Sequence, residues 1–156
     1  CEIASLSERR LDLLFNPQFS QLPAFLSPKE GLCSGYMAAQ YLSASLVNEN
    51  KMLSHPCSTD SIPGNVGVED HVSMGMTSAR KLKKIVDNVL TVLCCEWVAA
   101  CQACDLRGTP PQGEKSFYWY ELLRKELPTL KNDRIISEDI EIAKKLINKE
   151  IQKEKI

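Results

Sequence analysis

The spacing of apolar positions predicts helix along nearly the whole chain. Ile3, Leu6, Leu11, Leu13 and Leu14, with Glu8, Arg9 and Arg10 between them, form a short amphipathic helix over residues 3–15 that Asn16-Pro17 ends. Residues 16–34 carry Pro17, Pro23, Pro28, Gly31 and several serines, which predicts a long ordered loop. A second helix runs from about Gly35 to Ser54, with Tyr36, Met37, Ala39, Leu42, Leu46, Met52 and Leu53 as its apolar set and His55-Pro56 as its stop. A loop holding Pro56, Pro63, Gly64 and Gly67 follows. Then Val72, Met76, Ala79, Leu82, Val86, Val89, Leu93, Trp97, Ala100 and Cys104 recur in steps of three and four. That is a coiled-coil-like seam, and it predicts a long helix from about Val68 to Asp105. At 1.5 Å per residue the rod is about 57 Å long. The rest of the chain cannot cover so long a stripe, so the pattern predicts other helices as partners, most simply symmetry mates. Lys81, Lys83, Lys84 and Asp87 read as its solvated face. Arg107-Gly108-Thr109-Pro110-Pro111-Gln112-Gly113 is a break. A helix over 114–126 ends at Leu127-Pro128, and Ser137 is the expected N-cap of a last helix over 138–153 with Glu138, Asp139 and Glu141 near its start. Strand patterning and internal repeats are missing. The predicted fold is all-α, a long-helix bundle with a helical core segment (1–107), containing a loop at 56–70, and a C-terminal helical extension (108–156).

Composition narrows the function classes. A length of 156 residues, 44% hydrophobic and 25% charged, is that of one domain with a real core. A net charge of -1 gives no reason to expect nucleic acid or an anionic membrane as partner. No uninterrupted apolar run approaches the roughly 20 residues of a bilayer span. Seven cysteines, an odd number, with no secretory pattern at Cys1-Glu2-Ile3-Ala4-Ser5, predict reduced thiols in a cytoplasmic protein. Cys94, Cys95, Cys101 and Cys104 fall in the long helix, where a thiol is a small buried hydrophobe. A zinc site from Cys101 and Cys104 with His55 or His71 lacks the second ligand pair that such sites use, so no metal is expected. The chain opens inside a helix and without Met, which reads as a cut within a longer chain.

The candidate chemistry lies in one stretch, Asp60-Ser61-Ile62-Pro63-Gly64-Asn65-Val66-Gly67-Val68-Glu69-Asp70-His71-Val72-Ser73-Met74-Gly75. A turn-rich loop here delivers two carboxylates and a histidine to the start of the long helix, and loops carry chemistry more often than cores do. Glu69 and Asp70 are adjacent, so on a helix they point about 100° apart and cannot act as a close pair. Taken alone, each has two readings: a helix N-terminal charge favoured by the dipole, or a pocket-facing carboxylate. His71 is likewise either a structural hydrogen-bond partner or a functional group. Ser-His-Asp sets and phosphate-binding loops are not found.

Three words in this order resemble the aromatic amino acid ammonia-lyases, and the histidine ammonia-lyases most. They are Asn16-Pro17-Gln18-Phe19-Ser20-Gln21-Leu22-Pro23-Ala24-Phe25-Leu26, Leu46-Val47-Asn48-Glu49-Asn50-Lys51, and the stretch ending Glu69-Asp70-His71-Val72-Ser73-Met74. Gly31-Leu32-Cys33-Ser34-Gly35-Tyr36-Met37 is similar to a further family word, with Cys33 in place of Asn. The resemblance is strong over residues 2–107 and weaker beyond, where Lys131-Asn132-Asp133-Arg134 and Asp139-Ile140-Glu141 still look like the family. It implies the C-terminal part of an ammonia-lyase fold, a homotetramer assembled with identical subunits and with the polypeptide's own N-terminal part, and an amino acid substrate. It also implies Glu69 as a catalytic residue, acting in proton transfer or holding the substrate imidazole. The implied electrophile is a methylidene-imidazolone ring (MIO) made from an internal Ala-Ser-Gly. This chain has no Ala-Ser-Gly, so the resemblance places the ring in the missing N-terminal part and implies that the fragment alone is inactive. The chain departs from the family pattern at Gly64-Asn65, where members carry Thr-Ser, and at Gly67-Val68, where they carry Asn-Gln. Alternatives are a tyrosine or phenylalanine ammonia-lyase or aminomutase, or a non-catalytic helical remnant that keeps the rod.

Overall fold

The computed structural model describes residues 1–153. Among them lie the helices α1 (Glu2–Phe15), α2 (Pro17–Ser20), α3 (Met37–Leu53), α4 (Gly75–Arg107), α5 (Glu114–Glu126) and α6 (Ile136–Lys153), and no β-strand. The all-α expectation is met. α4 is the axis: α1, α3, α5 and α6 all pack against it. Two expected boundaries differ. The long helix begins at Gly75, not at Val68, because Met74 turns into the left-handed region at φ 52° and residues before it are extended or in turns. The last helix begins at Ile136, so Ser137 sits inside its first turn and is not its cap. The loop expected over 16–34 also opens with a helical turn, α2, whose signal was in the sequence: the Asn16 Oδ1 accepts from the Gln18 amide at 2.9 Å, and Pro17 occupies the first turn.

The most deeply buried face of α4 is offset from the predicted seam, of which Val89 and Trp97 pack partly against the core. Its buried residues are Asn88, Val92, Cys94, Cys95, Val98, Ala99, Cys101, Gln102 and Ala103. None belongs to the seam, of which Met76, Leu82 and Val86 are 55–69% exposed. The most deeply buried face is rich in Cys and Ala. Small side chains let the axes of α1, α3 and α6 approach closely. Each large apolar side chain they enclose, such as Leu11, Leu123 or Leu130, contributes about 1.5–3 kcal/mol.

The expected solvated face is also partly engaged, since Lys81 donates to the His55 carbonyl and Lys84 lies 3.7 Å from Glu49. By length and composition α4 is apolar enough to cross a bilayer, yet 44% of its most apolar window is buried within the protein. With Asn88 and Gln102 buried on it, α4 is a core helix.

Two polar clusters in this core are paired, while Asn50 Nδ2 and Trp97 Nε1 are buried without a hydrogen-bond partner. Gln102 donates to the Leu130 carbonyl at 3.1 Å and accepts from the Leu130 amide at 2.9 Å, so its side chain closes a backbone gap before α6. Asp105, at the end of α4, takes Tyr120 Oη at 2.5 Å, Thr129 Oγ1 at 2.7 Å and Arg124 Nη2 at 2.7 Å. Both members of the Asp105–Arg124 pair are 11% exposed, and together they tie α5 and the segment after it to α4. Gly108 ends α4 in the left-handed conformation at φ 66°, and its amide reaches the Asp105 carbonyl at 3.0 Å.

Candidate active-site loop

The segment between α3 and α4 folds back on itself. Ser61 Oγ accepts from the Val72 amide at 2.8 Å and donates to the Val72 carbonyl at 3.1 Å, which closes the base of the loop. Further out, the Gly64 amide donates to the Glu69 carbonyl at 2.9 Å and the Glu69 amide to Gly64 at 3.3 Å. Asn65, Val66 and Gly67 make the tip, all with positive φ (50°, 55° and 83°). Gly67 adopts that conformation freely. Val66 is β-branched, so its left-handed backbone costs on the order of 1–3 kcal/mol, the kind of strain that gathers at functional sites. Gly64-Asn65 and Gly67-Val68, the two departures from the family pattern, are thus the residues that build this turn.

Glu69, Asp70 and His71 follow the tip on an exposed, non-helical run. They are therefore not helix N-terminal charges: α4 starts beyond them, at Gly75. The backbone of Glu69 is pinned by Gly64 while the residue itself is exposed. Among the described residues no group of three or more His, Cys, Asp or Glu side chains is placed to hold a metal.

The four cysteines of α4 are free; Cys94, Cys95 and Cys101 are buried and Cys104 is half-buried. Burial pushes Cys94 and Cys101 up to about 12 and Cys95 to about 11, values that leave them as thiols and poor nucleophiles.

A second region carries polar architecture that sequence reasoning did not assign. The Asp133 carboxylate accepts from the Ser34 amide at 2.8 Å and the Gly35 amide at 3.0 Å. Beside it, Arg134 Nε donates to both oxygens of Asp139 at 2.8 and 2.9 Å, and Tyr36 Oη donates to Asp139 at 3.1 Å. Burial, reinforced by Asp139, raises the Tyr36 phenol well above its ordinary value. The available signal was that Lys131-Asn132-Asp133-Arg134 and Gly31-Leu32-Cys33-Ser34-Gly35 each matched a family word. Their pairing across nearly a hundred residues is not visible in either.

Comparison with known proteins agrees over this whole architecture. The aromatic amino acid lyase family matches residues 1–125. A histidine ammonia-lyase of Bacillus cytotoxicus is 50% identical over 90% of this chain, which corresponds to 28% of that protein. The crystal structure of histidine ammonia-lyase from Trypanosoma cruzi superposes with a TM-score of 0.89 at 43% identity, covering 94% of this chain and 29% of that one. A tyrosine aminomutase from Streptomyces globisporus superposes with a TM-score of 0.85 at 37% identity, over 96% and 29%. The chain spans less than a third of the length of these relatives.

Proposed function

The chain belongs to the aromatic amino acid lyase family, and on that premise we propose that it is the C-terminal segment of an ammonia-lyase that eliminates ammonia from L-histidine, without oxidation, to give urocanate. The observation that carries this reading is Glu69. It stands in the Glu69-Asp70-His71-Val72-Ser73-Met74 word, on a strained loop that fixes its backbone and leaves its side chain exposed.

In this reading the Glu69 carboxylate accepts the imidazole N–H of the substrate or takes part in transfer of its β-proton, a step worth about 10²–10⁴-fold in rate. No Ala-Ser-Gly occurs in the chain, so none of its residues forms the methylidene-imidazolone ring. That ring, carried elsewhere in the polypeptide, would supply the electrophile that makes the amine a leaving group. Identical subunits of a homotetramer and the N-terminal part of the polypeptide would cover the exposed stripe of α4. Its exposed Met76, Leu82 and Val86 support this, since such a stripe is otherwise costly to leave in water. Free thiols throughout suit the cytoplasm.

The test is Glu69→Gln in the intact polypeptide, followed by ultraviolet absorbance of urocanate. The expected result is a fall in kcat of about 10²–10⁴-fold with an unchanged melting temperature; undiminished turnover would remove Glu69 from catalysis. The 156-residue chain alone is expected to release no urocanate from histidine. A second reading, an aminomutase using the same family chemistry, is favoured by the 37% identity to a tyrosine aminomutase. Incubation with tyrosine and separation of the β-amino acid product distinguishes the two.

A further inference from the structure

The segment from Pro23 to Tyr36 is strained and held from a distance. Phe25 and Leu26 are consecutive non-glycine residues in the left-handed region, at φ 53° and 54°. Each costs on its own, so the conformation persists only where surrounding contacts over-determine it. Some of those contacts are local: the Tyr36 amide donates to the Phe25 carbonyl at 2.9 Å, and Ser27 Oγ donates to the Cys33 carbonyl at 2.9 Å. Gly35 completes the turn at φ 58°, and a Cβ there would stand 2.5 Å from the Phe25 oxygen, so only glycine fits. These bonds tie the segment to itself.

Leu26 and the Phe25 ring seat it against α1 and α4, and the C-terminal extension adds polar ties to its outer part. Asp133 takes the Ser34 and Gly35 amides, Asn132 takes Lys29 Nζ at 2.8 Å, and Asp139 takes Tyr36 Oη. A carboxylate on two consecutive backbone amides is a pair of charge-assisted bonds, stronger and more directional than neutral ones. The segment they hold lines a surface cleft of about 370 Å³ whose apolar walls include Phe25, Leu32, Cys33 and Met37.

We propose that Asp133 is a positioning residue: its carboxylate locks the strained Pro23–Tyr36 segment in one conformation and so sets the walls of this cleft, making the C-terminal extension a strap across the core segment. Its consequence for turnover rests on the lyase reading above, but the strap itself does not.

The experiment is hydrogen exchange by mass spectrometry on the intact polypeptide, with Asp133→Ala and Asp133→Asn alongside the parent, followed by steady-state kinetics on the same samples. In Asp133→Ala, the peptide spanning residues 24–36 is expected to exchange about tenfold faster, with α3 and α4 unchanged. Asp133→Asn keeps one acceptor oxygen and is expected to fall between the two; it also serves if the alanine variant fails to fold. In the kinetics, KM is expected to rise several-fold more than kcat falls. Unchanged exchange at 24–36 overturns the proposal. So does faster exchange spread evenly over α3 and α4, which would make Asp133 a contributor to overall stability and nothing more. If the parent shows no lyase activity while exchange responds as expected, the functional reading fails and the strap stands.

Discussion

The two halves of α4 are built for different surroundings. From Asn88 to Arg107 the helix is enclosed: its Cys and Ala positions meet α1, α3 and α6, Gln102 satisfies the Leu130 backbone, and Asp105 gathers Tyr120, Thr129 and Arg124. From Gly75 to Asp87 the same helix is open, with Lys81 and Ile85 its half-buried residues, and it continues into the equally open loop that carries Glu69. The enclosed half draws its stability from within the chain. The open half adjoins the Glu69–Met74 word and carries the exposed apolar side chains Met76, Leu82 and Val86. The difference teaches that one half of α4 is buried by partners within this chain, while the other half and the Glu69 loop stay exposed.

Substitutions at Asp105 test the enclosed half most severely. Asp105→Ala leaves the Arg124 guanidinium, 11% exposed, without its counter-ion. The expected loss is about 3 kcal/mol, the lower end for breaking a buried pair because some solvent reaches it. Urea denaturation checks it; a change under about 0.5 kcal/mol would mean that α5 is held by other contacts.

Raising the pH is a gentler probe of the same half. Cys94, Cys95 and Cys101 have values raised above the ordinary 9.0 by burial, so the folded state holds these protons more tightly than the unfolded state. The stability they contribute is complete below pH 9 and is lost as the pH climbs through about 11 to 12. A denaturation midpoint falling between pH 9 and 11 is expected, with native thiol labelling at pH 8 confined to the less buried cysteines. Rapid labelling of Cys95 would show that the core opens.

The smallest effect on the chain sharpens the contrast. Leu82→Ser, at a position 60% exposed, should change the stability of this chain by no more than about 0.5 kcal/mol. In the intact polypeptide the same change should weaken assembly, visible as a shift in oligomer size by light scattering. If Leu82→Ser unfolds the chain, the open half belongs to the core and the contrast is wrong.

Much of this was legible from residues alone. Local rules place helices where the chain has them: Asn16-Pro17 ends α1, Pro56 follows α3, Gly108 caps α4, and Leu127-Pro128 ends α5. The family words single out the loop of Glu69 and the segments around Gly35 and Asp133. These readings succeed because caps, breakers and words are properties of a few adjacent residues. Three things were decided only in three dimensions. Which face of α4 is most deeply buried depends on where α1, α3 and α6 pack, and they pack over its Cys and Ala positions. The start of α4 was moved to Gly75 by the Ser61–Val72 pairing and the left-handed turn at Met74, so Glu69 lies on an extended run and not on a helix. The bonds from Asp133 to Ser34 and Gly35 join positions 99 and 98 residues apart. Periodicity names the residues able to be buried or bonded; only the partners that folding brings within reach choose among them.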